Sequence, residues 1–109
     1  MTPQDTLSHC QVIMEAKAQD YTGESSVTMA DSYPRGIATI YDIMWAKMLR
    51  IKSVMEQMES RDSENFESIQ DSCVDLINYS TFFVAYMDGD IPGQNSDKNM
   101  FNQSIGVKK

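Results

Sequence analysis

Apolar residues recur at intervals of three and four along three stretches of the chain, separated by polar clusters, and that rhythm predicts helices. The first stretch runs from about Thr2 to Asp20, with Leu7, Cys10, Ile13, Met14 and Ala18 on one side. Thr2 followed by Pro3 is a helix start: a hydroxyl for the N-cap, then a proline at the first helical position. The second helical stretch is the strongest. From Ile37 to Glu59, residues Ile37, Ile40, Met44, Met48, Ile51, Met55 and Met58 form a stripe that Ile43 and Val54 widen. A break at Ser60-Arg61-Asp62-Ser63 precedes the third, from about Asn65 to Met87. There Phe66, Ile69, Cys73, Leu76, Ile77, Ser80, Phe83, Val84 and Met87 share a side. Its C-terminal half, Tyr79 to Tyr86, is rich in residues that favour strands.

Between the first two helices, Tyr21 to Gly36 carries Gly23, Ser25-Ser26, Asp31-Ser32 and Pro34, which break regular structure. This is a long connection for a small domain, and long loops tend to be functional or mobile. A short helical turn is expected inside it, around Val27 to Ala30. After Asp88 the chain turns to Gly, Asn, Pro and Ser. Gly89 reads as a helix stop, and Met100-Phe101 and Ile105 are candidates to pack back on the body. The expected architecture is an all-α, small helical bundle: two long antiparallel helices with an N-terminal helix across them, completed by oligomerisation. Residues 1–88 form the helical domain, and 89–109 a C-terminal tail that is mobile or packed back.

Composition agrees with a single folded domain: 109 residues, 41% hydrophobic and 23% charged. No apolar run is long enough to span a bilayer, and the N-terminal residues show no signal-peptide pattern. A cytoplasmic protein without a membrane partner is the expectation. The two cysteines, Cys10 and Cys73, fall on apolar sides of their helices, as two buried thiols or one interhelical disulfide. His9 is the single histidine, which excludes a His-based triad or a multi-His metal site within one chain. With nine basic against sixteen acidic residues, net charge −7, the chain is a poor ligand for duplex nucleic acid. A small phosphorylated ligand stays open, because one metal ion or a local pair of cations reverses the field within a pocket.

The main polar constellation lies on the third helix. Glu67, Asp71 and Asp75 are spaced by four, with Asn78 three further on. They span roughly 80° of helix surface, nearly opposite the Phe66/Ile69/Cys73/Leu76 side. Such a row is either a solvated acidic face or a set of oxygen ligands for Mg²⁺, and no lysine interleaves to relieve its repulsion. Val74 sits within this face and Phe82 flanks it, so a second partner is a candidate to cover it. On the preceding helix Lys47 projects into the apolar side with Arg50 one turn later, a spacing that suits a di- or triphosphate, or salt bridges to the acidic row. Tyr41 and Trp45 beside Asp42 read as packing or an oligomer surface. Asp20-Tyr21-Thr22-Gly23-Glu24 opens the long loop, with Tyr21 able to stack a base and Glu24 to add a metal ligand. The nine methionines read as core filler.

Taken in order, Asp20-Tyr21-x-Gly23, Asp42-x-x-x-x-Lys47-x-x-Arg50 and Glu67-Ser68-x-x-Asp71-x-x-x-Asp75-Leu76-x-Asn78-Tyr79 resemble the nucleotide-modification-associated domain found in phages. That family is similar in turn to the all-α NTP pyrophosphohydrolases, the MazG-like and dimeric dUTPase-like proteins. The resemblance spans roughly residues 10 to 87. It implies an oligomeric protein of a host cell's cytoplasm that acts on nucleotides. Asp71 and Asp75 would be catalytic, Glu67, Asp71 and Asp75 would hold Mg²⁺, and Lys47, Arg50, Tyr21 and Asn78 would bind the nucleotide. The relatives carry E-x-x-E on one helix and E-x-x-D on the next. Here Ser72 stands in the place of the second glutamate, and the pairs Glu56/Glu59 and Glu64/Glu67 are poorly placed for the first motif. Three functions follow: a Mg²⁺-dependent (d)NTP pyrophosphohydrolase or nucleotide-modification accessory, a non-catalytic sponge for a cyclic nucleotide or related immune signal, and a helical protein-interaction module.

Overall fold

Thr2 and Asp5 start the first helix by a reciprocal pair of hydrogen bonds. The Asp5 N–H donates to Thr2 Oγ1 at 3.0 Å, and the Thr2 N–H to Asp5 Oδ2 at 3.2 Å. Helix α1 then runs Pro3–Ala18, with proline in its first position. The computed structural model describes residues 1–18, 26–58 and 63–94. A single 3-10 turn, Met29–Ser32, follows, opened by a capping box between Thr28 and Asp31. It lies two residues beyond the turn expected around Val27 to Ala30. Helix α2 spans Ile37–Gln57 and helix α3 Ser63–Met87. The described residues of all three elements are helical, as the periodicity predicts. No described helix is long and apolar enough to cross a membrane.

Helices α2 and α3 are antiparallel and form the main packing, with α1 laid against α3. The direction is read from side chains that meet. Gly36 lies against Tyr86 at one end, Lys47 pairs with Asp75 further along, and Arg50 reaches Ser68 beyond that. The strand-favouring segment at the end of α3 stays helical, with Tyr86 buried and Tyr79, Phe82, Phe83 and Ala85 packed against the core. Its hydroxyls turn back on the helix, Ser80 Oγ donating to the Leu76 carbonyl at 2.8 Å and Thr81 Oγ1 to that of Asn78 at 2.7 Å.

The core sits at the end of the α2–α3 pair where α2 begins. Ala30, Tyr33, Ile40, Tyr86 and Ile91 are buried there, with Met29, Ile37, Met44, Tyr79 and Phe82 packed around them. Gly36 precedes α2 with φ +64° and ψ −133°, a conformation open essentially to glycine. A Cβ at that position would press on the Tyr86 ring at 3.0–3.2 Å.

After α3 the chain folds back. Gly89 takes φ +79° and ends the helix, as expected for a helix stop. The buried Gln94 side chain then donates to the Tyr86 carbonyl and accepts from the Ile91 N–H. The Ala30 N–H donates to the Pro92 carbonyl at 3.1 Å, tying this turn to the 3-10 segment. The packing expected of Met100, Phe101 and Ile105 lies outside the described residues, as does Tyr21 with the start of the long loop.

The helix faces differ from those the pattern predicts. On α3, Ser72, Val74, Asn78 and Tyr86 are buried, and these lie on the side of the acidic row. The opposite side, expected to be core, is half-buried at Ile69, Cys73, Leu76 and Ile77 and exposed at Phe66, Val84 and Met87. On α2, Met48 and Met55 are exposed together with Tyr41, Trp45 and Leu49. Leu7 of α1 is exposed as well. The reason is the position of α1. It lies over the polar side of α3, where Asn78 donates to the Cys10 carbonyl and Asp75 meets Lys17. Both cysteines are free thiols, Cys10 buried and Cys73 half-buried.

Candidate functional site

Antiparallel packing places the third and fourth turns of α2 beside the first half of α3. An open, mostly polar cleft of about 300 Å³ lies between them. Lys47 and Arg50 line one wall, and Glu67, Ser68, Asp71, Ser72 and Asp75 the other. Helical spacing explains the grouping: positions three and four apart rise on one face, so the α3 row presents an oxygen every turn.

At one end of the cleft Lys47 Nζ lies 3.0 Å from Asp75 Oδ2, and both side chains are half-buried. Lys17, from the last turn of α1, approaches the other oxygen of the same carboxylate at 3.7 Å and is itself largely exposed. Asp75 therefore holds two cations from two different helices. Towards the other end Arg50 Nη2 donates to Ser68 Oγ at 3.2 Å. Ser72 is buried at the base. Among the described residues, neither Glu67 nor Asp71 takes a basic partner. The cleft thus sets two cations on one wall against three carboxylates on the other, and among the described residues only Asp75 is paired with a cation.

The residues fit a magnesium ion shared with a ligand's phosphates better than one caged by protein. Among the described residues no group of three or more His, Cys, Asp or Glu side chains is close enough to hold a metal. Glu67 and Asp75 are separated by roughly 12 Å along the helix axis at 1.5 Å per residue. Glu67, Asp71 and Asp75 therefore do not converge on one point. Magnesium is commonly held by one or two carboxylates plus phosphate oxygens and water, and Asp71 with a neighbour can supply that.

The structure brings Lys47, Arg50, Glu67, Asp71 and Asp75 together and sets Asn78 apart. Asn78 is buried between α3 and α1, where its Nδ2 donates to the Cys10 carbonyl at 3.1 Å. Its Oδ1 is buried without a hydrogen-bond partner among the described residues. Tyr21 and Glu24 lie outside the described residues. Sequence reasoning missed Lys17, Ser68 and Ser72 as contributors. Lys17 carried one legible signal, a cation in the last turn of a helix.

Comparison with known proteins finds no matching family model, no matching curated protein and no matching solved structure.

Proposed function

We propose that this protein binds a nucleotide and holds its phosphates in the cleft between α2 and α3. One observation carries the reading: Lys47 and Arg50 face the acidic row across a single open cleft, although the chain as a whole has a net charge of −7. The lining holds two cations against three carboxylates, so Lys47 and Arg50 offer charged donors to a phosphate while a metal ion would offset the carboxylates beside them. Arg50 offers a planar fork of donors and Lys47 a compact charge, a pairing suited to adjacent phosphate groups. Asp71, with Glu67 or Asp75, would share a magnesium ion with those phosphates.

Such an ion would polarise a phosphoryl oxygen and lower the pKa of a bound water, the chemistry of a pyrophosphohydrolase. The residues themselves bind and orient. Lys47 and Arg50 fix the phosphate chain, and Asp71 and Asp75 are the carboxylates available to a metal or to a proton. A second reading, capture without turnover, is supported by a different observation. Among the described residues no third carboxylate converges with the row, and the position of the relatives' second glutamate is the buried Ser72. A sponge for a cyclic nucleotide or related immune signal needs the cations and not the metal.

The open apolar faces support a homo-oligomer. Tyr41, Trp45, Met48, Leu49 and Met55 of α2 are each about half exposed or more, as are Val84 and, to a lesser degree, Phe66 and Met87 of α3. Exposed apolar side chains gathered on one helix face mark an interaction surface. In a two-fold antiparallel contact centred between Met48 and Leu49, Met48 meets Leu49 of a second copy. The same register sets Trp45 against Lys52, and Tyr41 against Glu56. Each of these pairs would occur twice about the axis, as an isologous interface requires.

The test is incubation with NTPs, dNTPs and cyclic oligonucleotides, with and without Mg²⁺, followed by chromatography before and after heating the protein. A monophosphate product lost in EDTA supports the hydrolase. A nucleotide removed from solution and returned intact on heating supports the sponge. If all ligands stay free and whole, the nucleotide reading fails.

A further inference from the structure

Beside the polar cleft, one turn further along α3, lies a second cavity of about 290 Å³ with almost entirely apolar walls. Met14 and Ala18 of α1, Met29, Tyr33, and Tyr79 and Phe82 of α3 line much of it. The aromatic rings stand edge to face: Tyr33 and Tyr79 have centroids 6.5 Å apart at 81°, Tyr79 and Phe82 5.5 Å apart at 87°. That is a favoured packing geometry, and it fixes the ring positions. Three aromatic rings around one hollow, with Met14 and Met29 beside them, give flat and polarisable walls.

Lys17 joins the two cavities. Its stem lines the apolar one while its ammonium approaches Asp75 of the polar one at 3.7 Å. On α3 the same junction falls between Asp75 and Tyr79, one turn apart, or roughly 6 Å along the axis. A ligand lying along α3 therefore meets cations at one end and aromatic rings at the other.

We propose that the apolar cavity is the nucleobase site of the ligand whose phosphates occupy the α2–α3 cleft. The assignment rests on the phosphate reading of that cleft and adds to it the half of the ligand the cleft does not touch. A base fits these walls because every nucleobase has a π-face that stacks on an aromatic ring, and its sugar would span the Lys17–Asp75 junction. Recognition by stacking is tolerant of base identity. The cavity thus selects for a base in general, and any finer choice comes from polar atoms at its edge.

The test uses the full chain and three kinds of probe: inorganic tripolyphosphate, the common nucleosides, and the corresponding nucleoside triphosphates. Affinities are measured by calorimetry, and nucleoside contacts by ligand-observed NMR. The variant is Ala18→Trp, which fills the cavity from an exposed position at the end of α1 and removes no core side chain; circular dichroism checks that it keeps its helices. The expected result is that at least one nucleoside triphosphate binds ten times more tightly than tripolyphosphate or better. Ala18→Trp then abolishes that advantage while leaving tripolyphosphate affinity unchanged. Equal affinity for tripolyphosphate and every triphosphate, unaltered in the variant, overturns the base site and leaves the phosphate cleft standing. Nucleosides that bind in the absence of any tripolyphosphate binding, and are lost in Ala18→Trp, uphold the base site and refute the phosphate cleft. No binding by any probe overturns both.

Discussion

Lys47 Nζ sits 3.0 Å from Asp75 Oδ2, so a cation expected to meet phosphate and a carboxylate expected to hold metal neutralise each other across the α2–α3 seam. An incoming phosphate competes with Asp75 for Lys47. Asp75→Asn is therefore expected to raise affinity for tripolyphosphate severalfold when EDTA excludes metal. Calorimetry on wild type and variant decides it, and a loss of affinity would show that Asp75 does more than hold Lys47. Helix stability should change by about 1 kcal/mol or less, since a partly solvated ion pair contributes little.

Lys47→Met removes the cation and leaves its stem. A hydrogen bond to a charged group is worth about 1.5–3 kcal/mol, so nucleotide and tripolyphosphate affinity should fall about tenfold or more. Unchanged affinity in the same titration would place the phosphates elsewhere.

Gly36→Ala introduces a Cβ at φ +64° against the Tyr86 ring. The backbone strain and the collision act together, and unfolding in urea should show a loss of about 1–3 kcal/mol. Stability equal to wild type would mean that the α2 start rearranges freely.

Asn78→Ala should lower stability by about 1–3 kcal/mol, because the Cys10 carbonyl loses its buried donor. Its effect on nucleotide affinity should be less than twofold, since the side chain lies between α1 and α3 and lines neither cavity. A large affinity loss with unchanged stability would restore Asn78 to the binding site.

Burial raises the pKa of both the Tyr86 phenol and the Cys10 thiol above their ordinary values. In each case the folded state favours the neutral form. The stabilisation is fully present below the unfolded pKa, about 8.5 for a thiol and 10 for a phenol. It is lost as pH rises through the folded pKa, because the unfolded chain binds fewer protons there. Urea midpoints should hold near pH 8 and fall steadily towards pH 10.5. Tyr86→Phe should flatten the upper part of that fall, and an unaltered slope would assign it to other groups.

Much of the fold is legible in the residues. Thr2-Pro3 marks the start of α1, the three- and four-residue rhythm marks α2 and α3, and Gly89 marks the end of α3. These signals are local, since capping, periodicity and a left-handed glycine each act within a few residues of chain. The candidate site is half legible. Lys47, Arg50, Asp71 and Asp75 stand out by charge and spacing on their own helices. Lys17 does not, because its contact with Asp75 joins residues far apart in sequence, and neither do Tyr33, Tyr79 and Phe82, whose hollow exists only once the loop, α1 and α3 meet.

By itself, then, the sequence determined that the chain makes helices, where most of them begin and end, and which residues carry the charge. Only the tertiary structure decided which helix faces are covered. Periodicity ranks the faces of a helix by polarity, but burial depends on what packs against each face. Here α1 lies over the polar side of α3 and covers Asn78, while the apolar sides of α2 and α3 stay partly open. The pairing of Lys47 with Asp75 follows from the same cause: antiparallel packing turns two solitary charged rows towards one cleft.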